Sequence, residues 1–239
     1  MFHIHHPLFG KKVLSIRCLD LPARTKLCGL EPLFIFDPND RSNEALPRSV
    51  VDPYGEAGDN AIAFWPIYPQ FLRDVFTRAF TEGIRDPKNG RVRESEWRAV
   101  MVRLRDAIRY CHCGAENFYD ADALQASGGK PAPCWSCKKE IQFPWRIRIG
   151  KSVVMLNYNT QLFPHHIDDQ KMYDFSQPVA AMTQHPTNQN LWGLKNLSKE
   201  KWVAKTADGT VKDVEPERSV TLAVGTKILF GKAEGEMRI

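Results

Sequence analysis

Two close pairs of cysteines have the spacing in this sequence that most clearly predicts chemistry. Cys111-His112-Cys113 and Cys134-Trp135-Ser136-Cys137 are separated by 20 residues. Each pair can offer two thiolates from one turn, and the loop between them can return the second pair to the same ion. Four thiolates complete the tetrahedral shell that Zn²⁺ prefers and leave no position for water. The pattern therefore predicts one structural zinc ion held by Cys111, Cys113, Cys134 and Cys137.

The cysteine pattern leaves some alternatives open. The first pair is C-x-C instead of the commoner C-x-x-C, so His112 is an alternative ligand. Unligated or disulfide-bonded thiols and a redox function are further interpretations. The N-terminal residues show no basic segment followed by an apolar run, so no secretory signal is predicted. Six cysteines without such a signal are typical of a reducing compartment, and we expect a cytoplasmic protein.

The composition is that of a globular protein. The chain has 239 residues, of which 43% are hydrophobic and 26% are charged, enough to bury a core. No run approaches the 18 apolar residues typical of a membrane span, so no membrane partner is expected. The net charge of +5 is spread along the chain without a run of five basic residues, which indicates a solvated surface.

Basic and aromatic residues near the cysteines suggest an alternative function, a zinc-ribbon module that binds nucleic acid. Basic groups can neutralise phosphates, and aromatic rings can stack on bases. The basic candidates are Arg103, Arg105, Arg109, Lys138, Lys139, Arg146 and Arg148, and the aromatic candidates are Phe118, Tyr119, Trp135, Phe143 and Trp145.

Hydrophobic periodicity predicts helices before the cysteines and strands after them. Apolar residues at three- and four-residue spacing predict helices over residues 68–84 and 94–110, with their apolar faces packed on each other. Short β-like runs at residues 152–158, 179–182, 191–194, 202–205, 219–224 and 227–230 predict a β-sandwich or barrel. Asp208-Gly209 predicts a hairpin between residues 202–206 and 210–214.

Sequence motifs typical of enzymes do not occur. The chain has no G-x-S-x-G, P-loop, H-E-x-x-H or dinucleotide-binding glycine pattern. Residues 165–169, which contain two histidines and two aspartates, are the place where an enzyme of unrecognised chemistry would have its site. A turn is the simpler interpretation of that segment.

Residues 5–110 resemble the end of the large lobe of a bacterial serine/threonine protein kinase. His6-Pro7-Leu8-Phe9-Gly10 is similar to the turn after the long central helix of that lobe, and residues 71–97 are similar to its last two helices. Residues 32–43, 80–83 and 103–106, running into Cys111, resemble a subgroup of these kinases with a C-terminal zinc ribbon. That subgroup occurs in tellurite-resistance and stress-response systems.

The kinase resemblance implies structural roles for Arg91 and Trp97 and protein partners in a signalling system. A kinase also needs a Gly-rich loop, a β3 Lys, an H-R-D loop and a D-F-G site. None of these motifs occurs in the sequence, and the acidic partner expected for Arg91 is missing too. We therefore expect no enzyme activity from this chain on its own. The alternative is a part of an active kinase whose catalytic motifs lie outside the chain.

Residues 150–239 resemble a forkhead-associated β-sandwich, a fold that recognises phosphothreonine. Residues 192–198, Trp202 and residues 224–231 are similar to its later strands, but the G-R and S-x-x-H pattern of the phosphate site does not occur between residues 150 and 186. The residues that would bind a ligand are Lys151, Lys171, Asn188, Asn190 and Asn196.

Together these patterns predict an α+β multidomain chain. Residues 1–110 would form a helical kinase C-lobe remnant, residues 111–149 a zinc ribbon, and residues 150–239 an all-β, FHA-like sandwich. The expected function is that of a non-catalytic regulatory or scaffolding region in a bacterial kinase signalling or stress-response system. Its partner would be a protein, phosphorylated or not.

Overall fold

The computed structural model describes Leu8, Gly10, Lys11 and residues 21–47 and 59–239. Most of the kinase-like motif at residues 6–10 and Cys18 lie outside these residues. The chain divides into two units. The first comprises the described residues up to Leu104 together with Asp120–Ala123, and the second comprises Arg105–Tyr119 and Leu124–Ile239. The fold is α+β, with short helices and antiparallel sheets, as expected from the sequence.

Short helices and turns form most of the first unit. Its helices are α1 (Leu21–Thr25), α2 (Asp59–Phe64), α3 (Gln70–Phe80), α4 (Glu82–Arg85) and α5 (Glu94–Asp106), the last of which ends in the second unit. A π turn at Lys26–Leu30 and 3-10 turns at Arg41–Asn43 and Trp65–Ile67 connect them. The helix predicted over residues 68–84 is divided at Thr81, whose φ of −120° and ψ of −80° are not helical.

Aromatic side chains hold the first unit together. Phe34 stacks on Phe80 with ring centres 5.5 Å apart, and Phe36 stacks on Trp65 at 4.5 Å. Phe76 on α3 meets Trp97 on α5 edge to face at 4.9 Å, which confirms the predicted packing of the two helices. Such contacts add stability beyond the burial of the rings.

The second unit is built mainly of antiparallel strands. A two-stranded ladder pairs β1 with β2, a four-stranded sheet has the order β10-β7-β6-β5, and a six-stranded sheet has the order β4-β3-β12-β11-β8-β9. The strands are β1 (Ile108–Tyr110), β2 (Glu116–Phe118), β3 (Arg146–Ile149), β4 (Ser152–Met155), β5 (Gln161–Leu162), β6 (Ala180–Gln184), β7 (Trp192–Asn196), β8 (Trp202–Lys205), β9 (Val211–Val214), β10 (Ser219–Thr221), β11 (Lys227–Leu229) and β12 (Glu234–Arg238). Between these strands along the chain lie helix α6 (Ala121–Ala126), whose first three residues belong to the first unit, and helix α7 (Pro164–Ile167).

The two larger sheets share one hydrophobic core. Ile147, Trp202 and Ile228 from the six-stranded sheet lie in the same buried cluster as Leu162 and Leu194 from the four-stranded sheet. Side chains that point to the inner face of each sheet supply this core, as in β12, where Gly235 and Met237 are buried between more exposed neighbours. The unit is therefore two antiparallel sheets joined through their inner faces.

The strand predictions succeed where the signal is local. The hairpin at Asp208-Gly209 is confirmed. Strands β8 and β9 pair as far as Lys205 and Val211, which lie opposite each other, and Gly209 in the turn has a φ of +87°. The predicted helix over residues 94–110 is too long, because its last residues form β1 instead and pair with β2. Strands β3 and β12 were not predicted, yet they pair with each other in the middle of the six-stranded sheet.

Asn196, a predicted ligand-binding residue, has a structural role in this fold. Its side chain is fully buried, and its amide group donates to the carbonyls of Glu200 (2.8 Å) and Val214 (3.0 Å). Its amide oxygen accepts hydrogen bonds from the backbone N–H and the hydroxyl of Ser198. All four hydrogen bonds that an Asn side chain can make are therefore used within the fold.

Replacement of this side chain should be costly. We expect Asn196→Ala to lower the free energy of unfolding by about 2 kcal/mol, because it leaves the buried carbonyl of Val214 without its donor. Urea unfolding, followed by intrinsic fluorescence, measures the change. The control is Asn190→Ala in an exposed turn, which should stay within about 0.5 kcal/mol of the unchanged protein. Equal effects of the two substitutions would contradict the structural role.

Candidate metal centre

The four predicted cysteine ligands meet at one point in the second unit. Cys111 Sγ lies 3.6 Å from Cys137 Sγ, and Cys113 Sγ lies 3.7 Å from Cys134 Sγ. All four sulfurs lie within 4.8 Å of one another. A disulfide would require an S–S distance of about 2.05 Å, and all four cysteines are free. Four thiolates bound tetrahedrally at about 2.3 Å from an ion would be about 3.8 Å apart, so the arrangement fits a metal ion.

The β1–β2 ladder positions the first pair. Cys111 directly follows β1, and its backbone N–H donates to the carbonyl of Ala115 at 2.9 Å. The carbonyl of Cys111 in turn accepts from the N–H of Gly114 at 2.9 Å. Gly114 has a φ of +84°, a conformation that is easily reached only by glycine. This tight turn places Cys111 and Cys113 so that both sulfurs reach the same point.

A second turn positions the other pair. The backbone N–H of Lys138 donates to the carbonyl of Cys134 at 2.9 Å, and the N–H of Cys134 donates to the carbonyl of Lys139 at 2.9 Å. Lys138 has a φ of +61°, which is uncommon for a residue with a side chain. The chain therefore turns sharply here, and the sulfurs of both Cys134 and Cys137 reach the cluster.

The thiols differ strongly in their electrostatic surroundings. Burial raises the pKa of the Cys134 thiol, but the N–H of Cys137, the Asn117 amide and the N–H of Ser136 together lower it to about 6. At Cys111 the N–H of Cys113 lowers the pKa, whereas burial and hydrogen bonds with the neighbouring thiols raise it to about 12. Four adjacent sulfurs repel one another when ionised, so a cation is needed for all of them to be thiolates.

Asn117 on β2 is a buried polar residue that supports the site. Its amide group donates to Cys134 Sγ at 3.6 Å and to the carbonyl of Ala115 at 3.0 Å, and its amide oxygen accepts from the N–H of Trp135 at 3.2 Å. One side chain thus connects the two cysteine turns. No sequence pattern points to Asn117, because a single Asn in a short strand has no recognisable signature.

His112, the alternative ligand, lies at the edge of the cluster. It is exposed, and its Nδ1 is 3.3 Å from Cys111 Sγ. The group of side chains placed to hold an ion comprises the four cysteines alone among the described residues. His112 is therefore a neighbour of the cluster, and the predicted four-sulfur set is the one that the fold brings together.

The remaining predicted ligand-binding residues are dispersed in the second unit. Lys151 is exposed between β3 and β4, and Asn188 and Asn190 are exposed between β6 and β7. Lys171 lies at the rim of a cavity of about 330 Å³, whose lining includes none of the other four. The residues that line this cavity are Pro164, Ile167, Asp168, Lys171, Val179, Ser198, Lys199, Glu200, Trp202, Phe230, Gly231 and Lys232.

The histidines of residues 165–169 are used to hold their own loop. His166 is buried, accepts a hydrogen bond from the N–H of Phe163 at 2.8 Å, and lies 3.3 Å from the carboxylate of Asp106. His165 accepts from the N–H of Tyr173 at 2.9 Å and stacks on its ring. Burial lowers the pKa of His165. This setting gives the two imidazoles structural contacts that hold the segment in place.

The two residues implied by the kinase resemblance lie in the first unit. Trp97 is half-buried against Phe76, which agrees with a structural role. Arg91 is exposed, and its backbone passes close to Gly83, where a Cβ atom would lie 3.6 Å from Arg91 Cα.

Comparisons of the chain with protein-family models, curated proteins and solved structures find no match. The kinase and forkhead-associated resemblances therefore remain predictions from the sequence. Among the described residues, every helix falls short of the length and apolar content that a membrane crossing requires.

The hydrogen bond to Cys134 leads to a prediction about metal affinity. Asn117→Ala should weaken Zn²⁺ binding about ten- to a hundredfold, because groups that support ligating atoms contribute to metal affinity to that extent. Competition with a chromophoric chelator measures the affinity. Ser136→Ala, an exposed change between two of the cysteines, is the matched control and should leave the affinity unchanged. An Asn117→Ala variant with unchanged affinity would show that the amide does not support the site.

Proposed function

We propose that Cys111, Cys113, Cys134 and Cys137 hold one structural zinc ion. The observation that carries this proposal is the closeness of the four sulfurs, 3.6 and 3.7 Å apart in two pairs. Zinc favours four thiolates in a tetrahedron, and four protein ligands leave no position for a reacting water. The proposed role of the ion is therefore to fold the segment that contains it.

The thiols must stay reduced to bind the ion. Disulfides are rare in the cytosol and common in secreted proteins, and all four cysteines of the cluster are free. The proposed location is accordingly the cytoplasm. A metal site of this kind would be lost if the four thiols were oxidised in pairs.

We further propose that the chain is a non-catalytic regulatory or scaffolding component of a bacterial kinase signalling or stress-response system. Support for this context comes from the kinase-like residues of the first 110 positions and from the absence of kinase catalytic motifs from the sequence. The proposed contact site for a partner is the cavity of about 330 Å³ in the second unit. Its floor is apolar, with Ile167, Val179 and Phe230 among its lining residues.

The charge at the cavity favours an acidic partner. Lys171, Lys199 and Lys232 are exposed at its rim, where they outnumber the acidic Asp168 and Glu200. An apolar floor with a cationic rim suits a protein segment that combines an apolar side chain with a phosphate or carboxylate. The proposed partner is therefore a protein with an acidic or phosphorylated segment.

Nucleic-acid binding is supported less well. Of the aromatic rings that would stack on bases, Phe143 is half-buried, and the guanidinium carbons of Arg109 and Arg146 lie 5.2 and 5.6 Å from its centre. Trp135 is half-buried too and donates its indole N–H to the carbonyl of Glu116 at 2.7 Å. These rings contribute to packing within the unit, which limits their use as stacking platforms.

The zinc proposal predicts a defined metal content. The purified chain should contain one zinc ion, detected by native mass spectrometry, and Cys134→Ser should lose it. Removal of the ion with a chelator should unfold the segment around the cysteines, since structural zinc contributes roughly 10–16 kcal/mol of apparent binding energy to small modules. His112→Ala should keep the ion, because the ligand set comprises four sulfurs. Retention of zinc by Cys134→Ser, or a different metal in the purified chain, would contradict the proposal.

The partner proposal predicts a preference for phosphorylated peptides. In a peptide array, phosphothreonine peptides should bind more tightly than their unphosphorylated counterparts. Lys171→Ala and Lys232→Ala should each weaken binding about tenfold, the value of one charge-assisted hydrogen bond. Lys151→Ala, which lies outside the cavity, serves as the control. Equal binding of both peptide forms would exclude phosphate recognition, and steeply salt-dependent binding of DNA or RNA would favour the nucleic-acid alternative.

A further inference from the structure

Arg109 is a buried cation beside the cysteine cluster. It lies in the middle of β1, two residues before Cys111, and only 4% of its surface is exposed. In the register of the β1–β2 ladder it is opposite Asn117, the residue whose amide contacts Cys134 Sγ. The guanidinium is therefore placed in the second unit together with the residues that form the metal centre.

The contacts of Arg109 leave its charge uncompensated. Its Nη2 donates to the carbonyl of Ala132 at 3.2 Å, and its guanidinium carbon lies 5.2 Å from the centre of the Phe143 ring. Its Nε and Nη1 atoms are buried and have no hydrogen-bond partner. No carboxylate of the described residues forms a salt bridge with it, although buried charges in proteins are normally paired.

The cysteine sulfurs are the groups that can provide a counter-ion for Arg109. Burial lowers the pKa of Arg109, whereas the charges of Cys134 and Cys111 raise it. Four thiolates around one divalent ion carry two negative charges in excess. This excess charge is itself buried in part, because Cys111 and Cys134 are enclosed. A buried cation without a carboxylate partner thus lies two residues before Cys111 and opposite Asn117, whose amide contacts Cys134 Sγ.

We propose that Arg109 is the counter-ion of the metal–thiolate cluster and that it makes metal binding a condition for the stable fold around it. This inference rests on the proposed zinc site. With the metal bound, the cluster compensates the guanidinium and the guanidinium compensates the cluster. Without the metal, the four sulfurs cannot all be thiolates, so the cluster loses most of its negative charge and the fold buries the guanidinium with less compensation, which is unfavourable. Arg109 is a positioning and charge-compensating residue in this scheme and does not ligate the ion.

The chain offers a matched control in Arg146. Its guanidinium carbon lies 5.6 Å from the centre of the same Phe143 ring and 5.4 Å from that of Tyr119. It also has one buried nitrogen without a partner. Arg146 therefore shares the aromatic contact of Arg109, but it lies on β3 in the six-stranded sheet and not on the β1–β2 ladder that leads into Cys111. Substitution of each residue separates the loss of a cation at the cluster from the loss of a cation on the ring.

The test compares Zn²⁺ affinity in the full chain for Arg109→Met, Arg109→Lys and Arg146→Met, by competition with a chromophoric chelator. Arg109→Met should weaken Zn²⁺ binding about ten- to a hundredfold, the range found for groups outside the ligand shell. Arg109→Lys keeps the charge and should retain most of the affinity. Arg146→Met should bind Zn²⁺ like the unchanged chain.

A second measurement distinguishes charge compensation from packing. Urea unfolding midpoints are determined with bound Zn²⁺ and with excess chelator. Arg109→Met should be less stable than the unchanged chain with Zn²⁺, but at least as stable without it, because the unpaired buried charge is gone. A packing role predicts an equal loss of stability in both states and an equal loss for Arg109→Lys, and that result would overturn the inference. If Arg109→Met does not fold, the Arg109→Lys and Arg109→Gln pair provides the same comparison.

The outcomes also separate this inference from the zinc proposal. Zinc binding that needs the four cysteines but is unaffected by Arg109→Met would overturn the role of Arg109 and leave the zinc site intact. An unchanged chain that binds no zinc would overturn both. Weak zinc binding by Arg109→Met with retention by Arg109→Lys supports both.

Discussion

The convergence of four sulfurs is the constraint on which the segment from β1 to Phe143 depends. The apolar core around it is small, with Ile141 as its only large buried aliphatic side chain beside the enclosed Cys111 and Cys134. Burial of one such side chain contributes about 1.5–3 kcal/mol, whereas a structural zinc ion contributes roughly 10–16 kcal/mol of apparent binding energy. Metal–thiolate bonds would therefore dominate the stability of this segment, and an ion bound by the four sulfurs would hold its two tight turns together.

Two buried polar residues become understandable once the sulfurs are regarded as anions. Asn117 uses a donor on Cys134 Sγ at 3.6 Å, which is a useful contact if the sulfur is a thiolate. Arg109, with two buried nitrogens lacking a partner, is a costly residue unless a negative charge lies nearby. Both residues are on the β1–β2 ladder, in opposed positions. The ladder therefore carries the first cysteine turn and also places Asn117 and Arg109 beside the residues of the metal centre.

The sequence was sufficient for features that local patterns determine and insufficient for those that depend on distant partners. The cysteine cluster and the Asp208-Gly209 hairpin follow from spacing and from turn chemistry, and both are found. Strand β12 was missed because its Glu-Gly-Glu start has little β propensity. Gly235 is nevertheless suited to its place, since a Cβ there would lie 2.8 Å from Ile147 Cδ1. The reason for a glycine at this position is visible only once β12 is paired with β3, which carries Ile147. Asn117 and Arg109 were missed as supporting residues for the same reason.

The distribution of polar groups in the second unit separates those that maintain the fold from those that can meet a partner. Asn196 and His166 are buried and engaged in hydrogen bonds within the unit, so their polar atoms stabilise loops. The lysines at the rim of the cavity are exposed and lie above an apolar floor that includes Phe230. Recognition of an acidic segment needs cationic groups that are accessible and a surface that excludes water around them. The cavity has both features, and they are what supports the proposed binding role.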